Sequence, residues 1–279
     1  MALLLTSTVA GDMTITLNHV GTSGIPGTPV TKTVTWRAAS YTPNVGYSTS
    51  YIGTDFTAAS TADATIYASK TVGTQAAQIS VTLKNDVNTA LDHQAITFAI
   101  TSGPGMLSAV TDGTLYTAST TASGRSVVDL DLSGNTASVA VLPDGTSGVT
   151  TITVTAGTTV IATETLTFVG SAASYTTLVA KKTLRVGSNV GTLASTDYVI
   201  RVKPLDSNGN RTVTGTTVYA YSSNALVGTV TTSATTSSTG YAYFDVTGVI
   251  AGSTDITFRN ASTIAASTVA STAVTVDVT

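Results

Sequence analysis

The chain has 279 residues, of which 42% are hydrophobic and only 10% charged, with a net charge of −3 and no cysteine. That length allows two or three domains with cores of their own. The missing cysteines exclude disulfides, thiol nucleophiles and thiolate metal sites, and the slightly acidic balance excludes the basic footprint that neutralises phosphates, so nucleic acid is not an expected partner. Threonine makes up about a fifth of the chain. Thr and Val are stiff at χ1 and pack well on a pleated surface, so the composition favours strands over helices.

In chain order, residues 1–11 begin with an apolar patch that lacks the basic region and length of a complete signal peptide, which raises the expectation of a segment cut from a longer precursor. Strict alternation follows in Met13–Leu17 and Val30–Trp36, separated by Pro26-Gly27. It returns in Ile79–Leu83, Ile96–Ile100, Ile152–Val154 and Val274–Val278, with apolar residues on one face and Thr, Ser or Lys on the other. Turn formers lie between them at Gly103-Pro104-Gly105, Asp112-Gly113, Asp144-Gly145 and Asn208-Gly209. No stretch reaches the roughly 18 apolar residues needed to span a bilayer. Short half-buried strands at this spacing predict an all-β chain of immunoglobulin-like Greek-key β-sandwiches strung in tandem.

An internal repeat sets the expected boundaries. Val81-Thr-Leu83, Asp86, Ile96-Thr-Phe98, Ser123-Gly124, Val127–Leu132, Ser147-Gly148 and Ile152-Thr-Val154 return as Val202, Asp206, Val218, Thr239-Gly240, Tyr241–Val246, Ala251-Gly252 and Ile256-Thr-Phe258. This predicts a β-rich N-terminal region over 1–71, either a diverged or truncated module or a separate cap. A sandwich over 72–173 follows, with a hairpin inserted between Ser133 and Gly145, and a second sandwich over 174–279. Modular arrays of this kind span distance or tile surfaces.

These turn-and-strand motifs resemble the bacterial immunoglobulin-like repeat of invasin, intimin and many surface-layer proteins. The resemblance covers the last two-thirds of the chain. It implies a rod, adhesin stalk or lattice subunit on the bacterial cell surface. The expected function is a non-catalytic structural subunit of a surface layer or extracellular filament. Its partners would be copies of itself, with attachment to the envelope through an unseen segment or partner. The alternatives are an adhesin stalk segment and a decoration or tail protein of a bacteriophage. A strand from residues 1–71 exchanged with a neighbour would complete that neighbour's sheet by edge addition. Deleting Met1–Leu17 is then expected to abolish assembly and leave the C-terminal domains folded.

Candidate sites are few. His19 and His93 are the only imidazoles and stand in no catalytic motif, so an enzyme is not expected. Asp206, Asn208 and Asn210 alternate as oxygen ligands do in a calcium loop, but Thr217 occupies the position where such a loop carries its acidic residue. The competing reading is an Asx-type turn with Gly209 at positive φ. Calcium could otherwise lie between modules, on Asp129, Asp131 or Asp245. Asn210 and Asn260 match the N-glycosylation pattern. Tyr219, Tyr221, Tyr241 and Tyr243 alternate along two segments and are expected on paired strands, forming a cross-strand stack or an exposed interface stripe.

Overall fold

A computed structural model describes residues 5, 11–18, 28–36, 41–54, 61–91, 94–110, 123–129, 134–187 and 198–279. His19, Pro26-Gly27, His93, Asp112-Gly113, Asp131 and the side chain of Asp129 lie outside the described residues. Every regular element among those described is a strand.

The first two strands, β1 (Gly11–Leu17) and β2 (Val30–Trp36), form an antiparallel ribbon that, among the described residues, pairs only with itself. The first sandwich contains β3 (Thr49–Thr54), β4 (Tyr67–Ser69), β5 (Ala77–Thr82), β6 (Ile96–Ser102), β7 (Met106–Ala109), β8 (Ser123–Gly124), β9 (Ser126–Asp129), β10 (Thr136–Leu142), β11 (Gly148–Ala156) and β12 (Thr159–Val169). Its two sheets have the orders β3-β5-β10-β7-β8 and β4-β12-β11-β6-β9. The chain thus crosses between sheets after β3, and β4 joins the second sheet parallel to β12.

The second sandwich repeats this plan with β13 (Ser174–Val179), β14 (Thr183–Leu184), β15 (Ile200–Leu205), β16 (Thr217–Ser222), β17 (Gly228–Val230), β18 (Ser233–Thr235), β19 (Ala242–Phe244), β20 (Val246–Gly248), β21 (Gly252–Arg259) and β22 (Val274–Val278). Its β14-β22-β21-β16-β18 sheet matches β4-β12-β11-β6-β9 strand for strand, including the parallel first pair. In the facing sheet, β19 pairs with β15 and β20 pairs with β17. Together they take the place of β10, interrupted at the buried Asp245.

Each sandwich holds one core. Phe98, Phe168, Ile79, Ile152 and Leu107 fill the first, and Phe244, Phe258, Val202, Val218 and Ile256 the second. Phe244 and Phe258 meet at 4.9 Å and 55°, a tilted aromatic contact across the two sheets. Each such side chain removed from water contributes about 1.5–3 kcal/mol. This is what carries stability in a chain without cross-links.

Two expectations change. The strand grouping departs from a division at residue 72, because β3 and β4 precede that point yet lie in the sheets of the first sandwich. The segment from Ser133 to Gly145 is not an inserted hairpin, since β10 pairs with both β5 and β7 as a central strand. The counterpart of Tyr241–Val246 is therefore β10, and β9 corresponds to β18 beside the matching strands β6 and β16. The misreading has a physical cause. Six consecutive residues of β10 are buried, so it lacks the alternation by which a half-buried strand is recognised.

Candidate functional site

The loop after β15 fastens the second sandwich to the first and to the segment between them. Asp206 is buried, and its carboxylate accepts three backbone N–H groups: Asn208 and Asn210 on Oδ1, both at 2.9 Å, and Gly170 on Oδ2 at 3.1 Å. The first two make an Asx-type turn, closed by Asp206 N–H donating to the Asn210 carbonyl, with Gly209 at φ +78°. The third ties the turn to the segment leaving β12. Asn208 reaches the other way and donates from Nδ2 to the Ser147 hydroxyl at 3.0 Å and carbonyl at 3.3 Å.

The three candidate calcium ligands thus serve different partners. Asp206 holds amides, Asn208 grips the preceding sandwich, and Asn210 contributes its main chain to the turn. Among the described residues no three acidic or histidine side chains gather as a metal cluster. Next to this turn, the Arg211 guanidinium lies 4.0 Å from the centre of the Tyr67 ring in the first sandwich and donates to the Ser238 carbonyl. A cation over an aromatic face is worth about 0.5–2 kcal/mol depending on its exposure. Asp206, Asn208 and Arg211 therefore form a clip between modules.

The first sandwich carries the same turn one residue earlier than the sequence alignment placed it. Asn85, not Asp86, corresponds to Asp206. Its Oδ1 accepts Val87 N–H at 3.1 Å and Thr89 N–H at 2.9 Å, and Asn88 takes the positive φ of Gly209.

The four tyrosines do not form one stripe. Tyr219 and Tyr221 lie on β16, and Tyr243 lies on β19 in the opposite sheet, with Tyr241 just before it. Tyr241 and Tyr243 form a half-buried cluster with Tyr198, whose ring is 5.2 Å from that of Tyr243, and Arg201 covers Tyr241 at 4.7 Å. Tyr221 instead donates from its hydroxyl to the Ala261 carbonyl at 2.9 Å.

The two sequon asparagines also differ. Asn210 is half-buried in the turn. Asn260 is exposed, but its amide organises the loop that follows: Oδ1 accepts Thr268 and Val269 N–H, and Nδ2 donates to the Thr268 hydroxyl.

One feature escaped sequence reasoning. Glu164 on β12 is 2% exposed, receives the Ser50 hydroxyl, and has its pKa pushed up to about 7. Burial is the main cause. The Ser50 bond opposes it, and the neighbouring Asp63 carboxylate adds to the rise through its charge and hydrogen bond. Glu164 pairs with Ile152 as Val274 pairs with Ile256 in the second sandwich, so the sister position is apolar. The signal was present, because Glu164, Leu166 and Phe168 share one side of an alternating strand. Ser50 and Glu164 form a buried hydroxyl–carboxylate pair.

No protein-family model matches the chain, and no curated protein matches it. Among solved structures it is similar to the Escherichia coli adhesin FdeC, with 15% identity over 97% of this chain and 74% of that one at a TM-score of 0.37. It is similar to invasin, described as a bacterial integrin-binding protein, with 14% identity over 98% of this chain and 46% of that one at 0.36. It is likewise similar to the S-layer protein SbsC, with 13% identity over 97% of this chain and 35% of that one at 0.35. These are the kinds of protein that the sequence motifs resemble. With all three scores below 0.5, the fold assignment rests on the strand order and register described above.

Proposed function

We propose that this chain is a non-catalytic structural subunit of a bacterial surface layer or extracellular filament, exposed on the cell surface and held by contacts between copies of its β-sandwiches. The observation that carries this reading is the repeat. Two sandwiches of matching strand order are joined by a short segment and fastened by Asp206 to Gly170, Asn208 to Ser147, and Arg211 to Tyr67. A fastened junction limits bending between modules, which a lattice or filament subunit requires and a small-molecule enzyme does not. Few charges leave a surface of hydroxyls and methyls that tolerates close packing with like neighbours. The module division that follows is a ribbon over 11–36, one sandwich over 41–169 and a second over 174–278. Envelope attachment is assigned to a further segment or a partner.

Negative-stain electron microscopy of the purified chain, in calcium and then in chelator, tests the reading. Sheets or filaments without any added partner are expected. Their loss on chelation would place calcium between modules or copies. Discrete rods in both conditions would overturn self-assembly and return the chain to the adhesin-stalk or bacteriophage-accessory readings.

A further inference from the structure

The two sandwiches differ at one edge. In β3, Ile52 turns its backbone away from β5, and both of its groups are covered: its N–H donates to Asp63 Oδ1 at 3.1 Å and its carbonyl accepts Ala64 N–H at 2.9 Å. The covering residues belong to the crossover over 55–66. The equivalent residue in β13 is Val179, since Ile52 pairs with Ile79 as Val179 pairs with Ile200. There the crossover is only residues 180–182, and it bonds elsewhere, to Val199 and to β22.

The Ala180 N–H to Val199 carbonyl bond fixes the register, so even-numbered residues of β13 face β15 and Tyr175, Thr177 and Val179 face outward. Pro204, which has no N–H to give, stands opposite Tyr175 as this parity requires. Among the described residues no backbone bond reaches these three outward positions. The strand reads Ser-Tyr-Thr-Thr-Leu-Val, with none of the charges, prolines or bulges that usually blunt an exposed edge. The Tyr175 hydroxyl is buried without a hydrogen-bond partner.

The β1–β2 ribbon has the opposite deficiency, being two strands with no sheet. A lone two-stranded ribbon is marginal in water. Its seven-residue pairing places Met13, Ile15 and Leu17 with Val34, Lys32 and Val30 on one face, and Thr14 with Thr33 and Thr16 with Thr31 on the other. Met13, Leu17 and Val30 are exposed. On β13 the core side carries Tyr175 and Val179, and the solvent side carries Ser174, Thr176 and Leu178. Laid beside β13 through β1, the ribbon would continue both faces, threonines with threonine outside and Met13, Ile15 and Leu17 on the core side, with Lys32 kept to the outer strand of that face. Its β1 edge is uncharged from Met13 to Leu17, whereas β2 carries Lys32 at its centre, so β1 is the strand suited to pairing.

We propose that the open edge of β13 receives the β1–β2 ribbon of a second copy of this chain, extending its sheet and linking copies head to tail. This rests on the self-assembly reading. The donor ribbon and the acceptor edge are different parts of the chain, and among the described residues the ribbon does not pair with its own β13, so the contact is heterologous and propagates.

Two variants of the full chain test it. Thr177→Pro removes one outward N–H and no bond to β15, and Thr176→Lys adds a charge with every backbone group kept. Each is expected to lower the sedimenting fraction at least tenfold, with the thermal transition of the second sandwich retained. Because the chain has no cysteine, Thr14→Cys or Thr16→Cys combined with Thr176→Cys should give a ladder of covalent multimers on oxidation. A cross-linked monomer would overturn the second copy as occupant. Wild-type-like sedimentation of both variants, with no ladder, would overturn the edge while leaving self-assembly standing. A wild-type chain that never sediments would remove both.

Discussion

The buried Glu164 gives the sharpest quantitative expectation. In the unfolded chain its carboxyl ionises near the ordinary value of 4.5, and in the folded chain near 7. Between those values the folded state holds one more proton than the unfolded state, so stability falls as pH rises, by about 1.4 kcal/mol per pH unit. Below 4.5 and above 7 the contribution is flat. Across the window the loss comes to about 3 kcal/mol, or on the order of 10 °C in the melting temperature of a module this size. Glu164→Val adopts the sister sandwich's solution at Val274. It abolishes the proton linkage, at a cost of about 1–2 kcal/mol for the orphaned Ser50 hydroxyl and the lost volume. The variant is therefore expected to be slightly less stable than wild type at pH 4.5 and more stable by about 1–2 kcal/mol at pH 8. Calorimetry from pH 4.5 to 8 reads this as a crossing of the two stability curves for the first sandwich. Parallel curves across that window would refute the reasoning.

Gly103→Ala should destabilise the first sandwich by more than about 3 kcal/mol. The added Cβ would fall 1.9 Å from the Val149 carbonyl oxygen at a φ of +81°, whereas Gly157→Ala, with nothing within 4 Å, should cost only about 1 kcal/mol; equal thermal shifts would contradict this. Asp206→Ala strips acceptors from the amides of Asn208, Asn210 and Gly170, with an expected loss of about 2–4 kcal/mol in the second sandwich's calorimetric transition. A double-mutant cycle of Tyr67→Ala and Arg211→Ala should give a coupling of about 0.5–2 kcal/mol, and small-angle scattering of the double variant should show a wider spread of inter-module angles. Zero coupling with an unchanged scattering profile would remove Arg211 from the junction.

Much of the architecture was legible because the physics behind it is local. Alternation in Met13–Leu17, Val30–Trp36 and Val274–Val278 reports a strand directly, and each is one in the structure, although only Val274–Val278 is half-buried; Met13–Leu17 and residues 30–35 are mostly exposed. Gly148 and Gly252, aligned by sequence, both open matching strands. What failed depended on distant partners. The buried run of β10 carries no period, so nothing local marks it as the counterpart of Tyr241–Val246. Tyr219 and Tyr243 look alike along the chain, and only the switch of sheet between β18 and β19 sends them to opposite sides. At the oxygen-rich loop of Asp206 the Asx turn was legible from the local residues, whereas the bonds to Gly170 and Ser147, about 40 and 60 residues away, were not. For Glu164 the cue is local, an acidic residue on the apolar side of an alternating strand.

The repeat also bears on how the molecule gains direction. A tandem repeat is polar by its connectivity, and here the modules also differ at one edge: the β3–β4 crossover covers β3, whereas among the described residues the three-residue β13–β14 crossover leaves β13 uncovered. The long crossover also carries Asp63, which bonds Ile52 in β3 and faces Glu164 in β12, so one loop both closes the edge and supplies the buried acid's partner. An ionisable group in that core is a liability that Val274 avoids. Its presence in the sandwich whose edge is sealed, and its absence from the one left open, connects the cost of a buried carboxyl to the sealing of an edge that would otherwise invite a strand. On this argument, Asp63→Ala should do more than relieve Glu164. It should uncover the Ile52 amide, give the first sandwich an edge like that of β13 and, under the proposed ribbon–edge pairing, create a second acceptor, detectable as branched or thickened assemblies where single ones are expected of the wild-type chain.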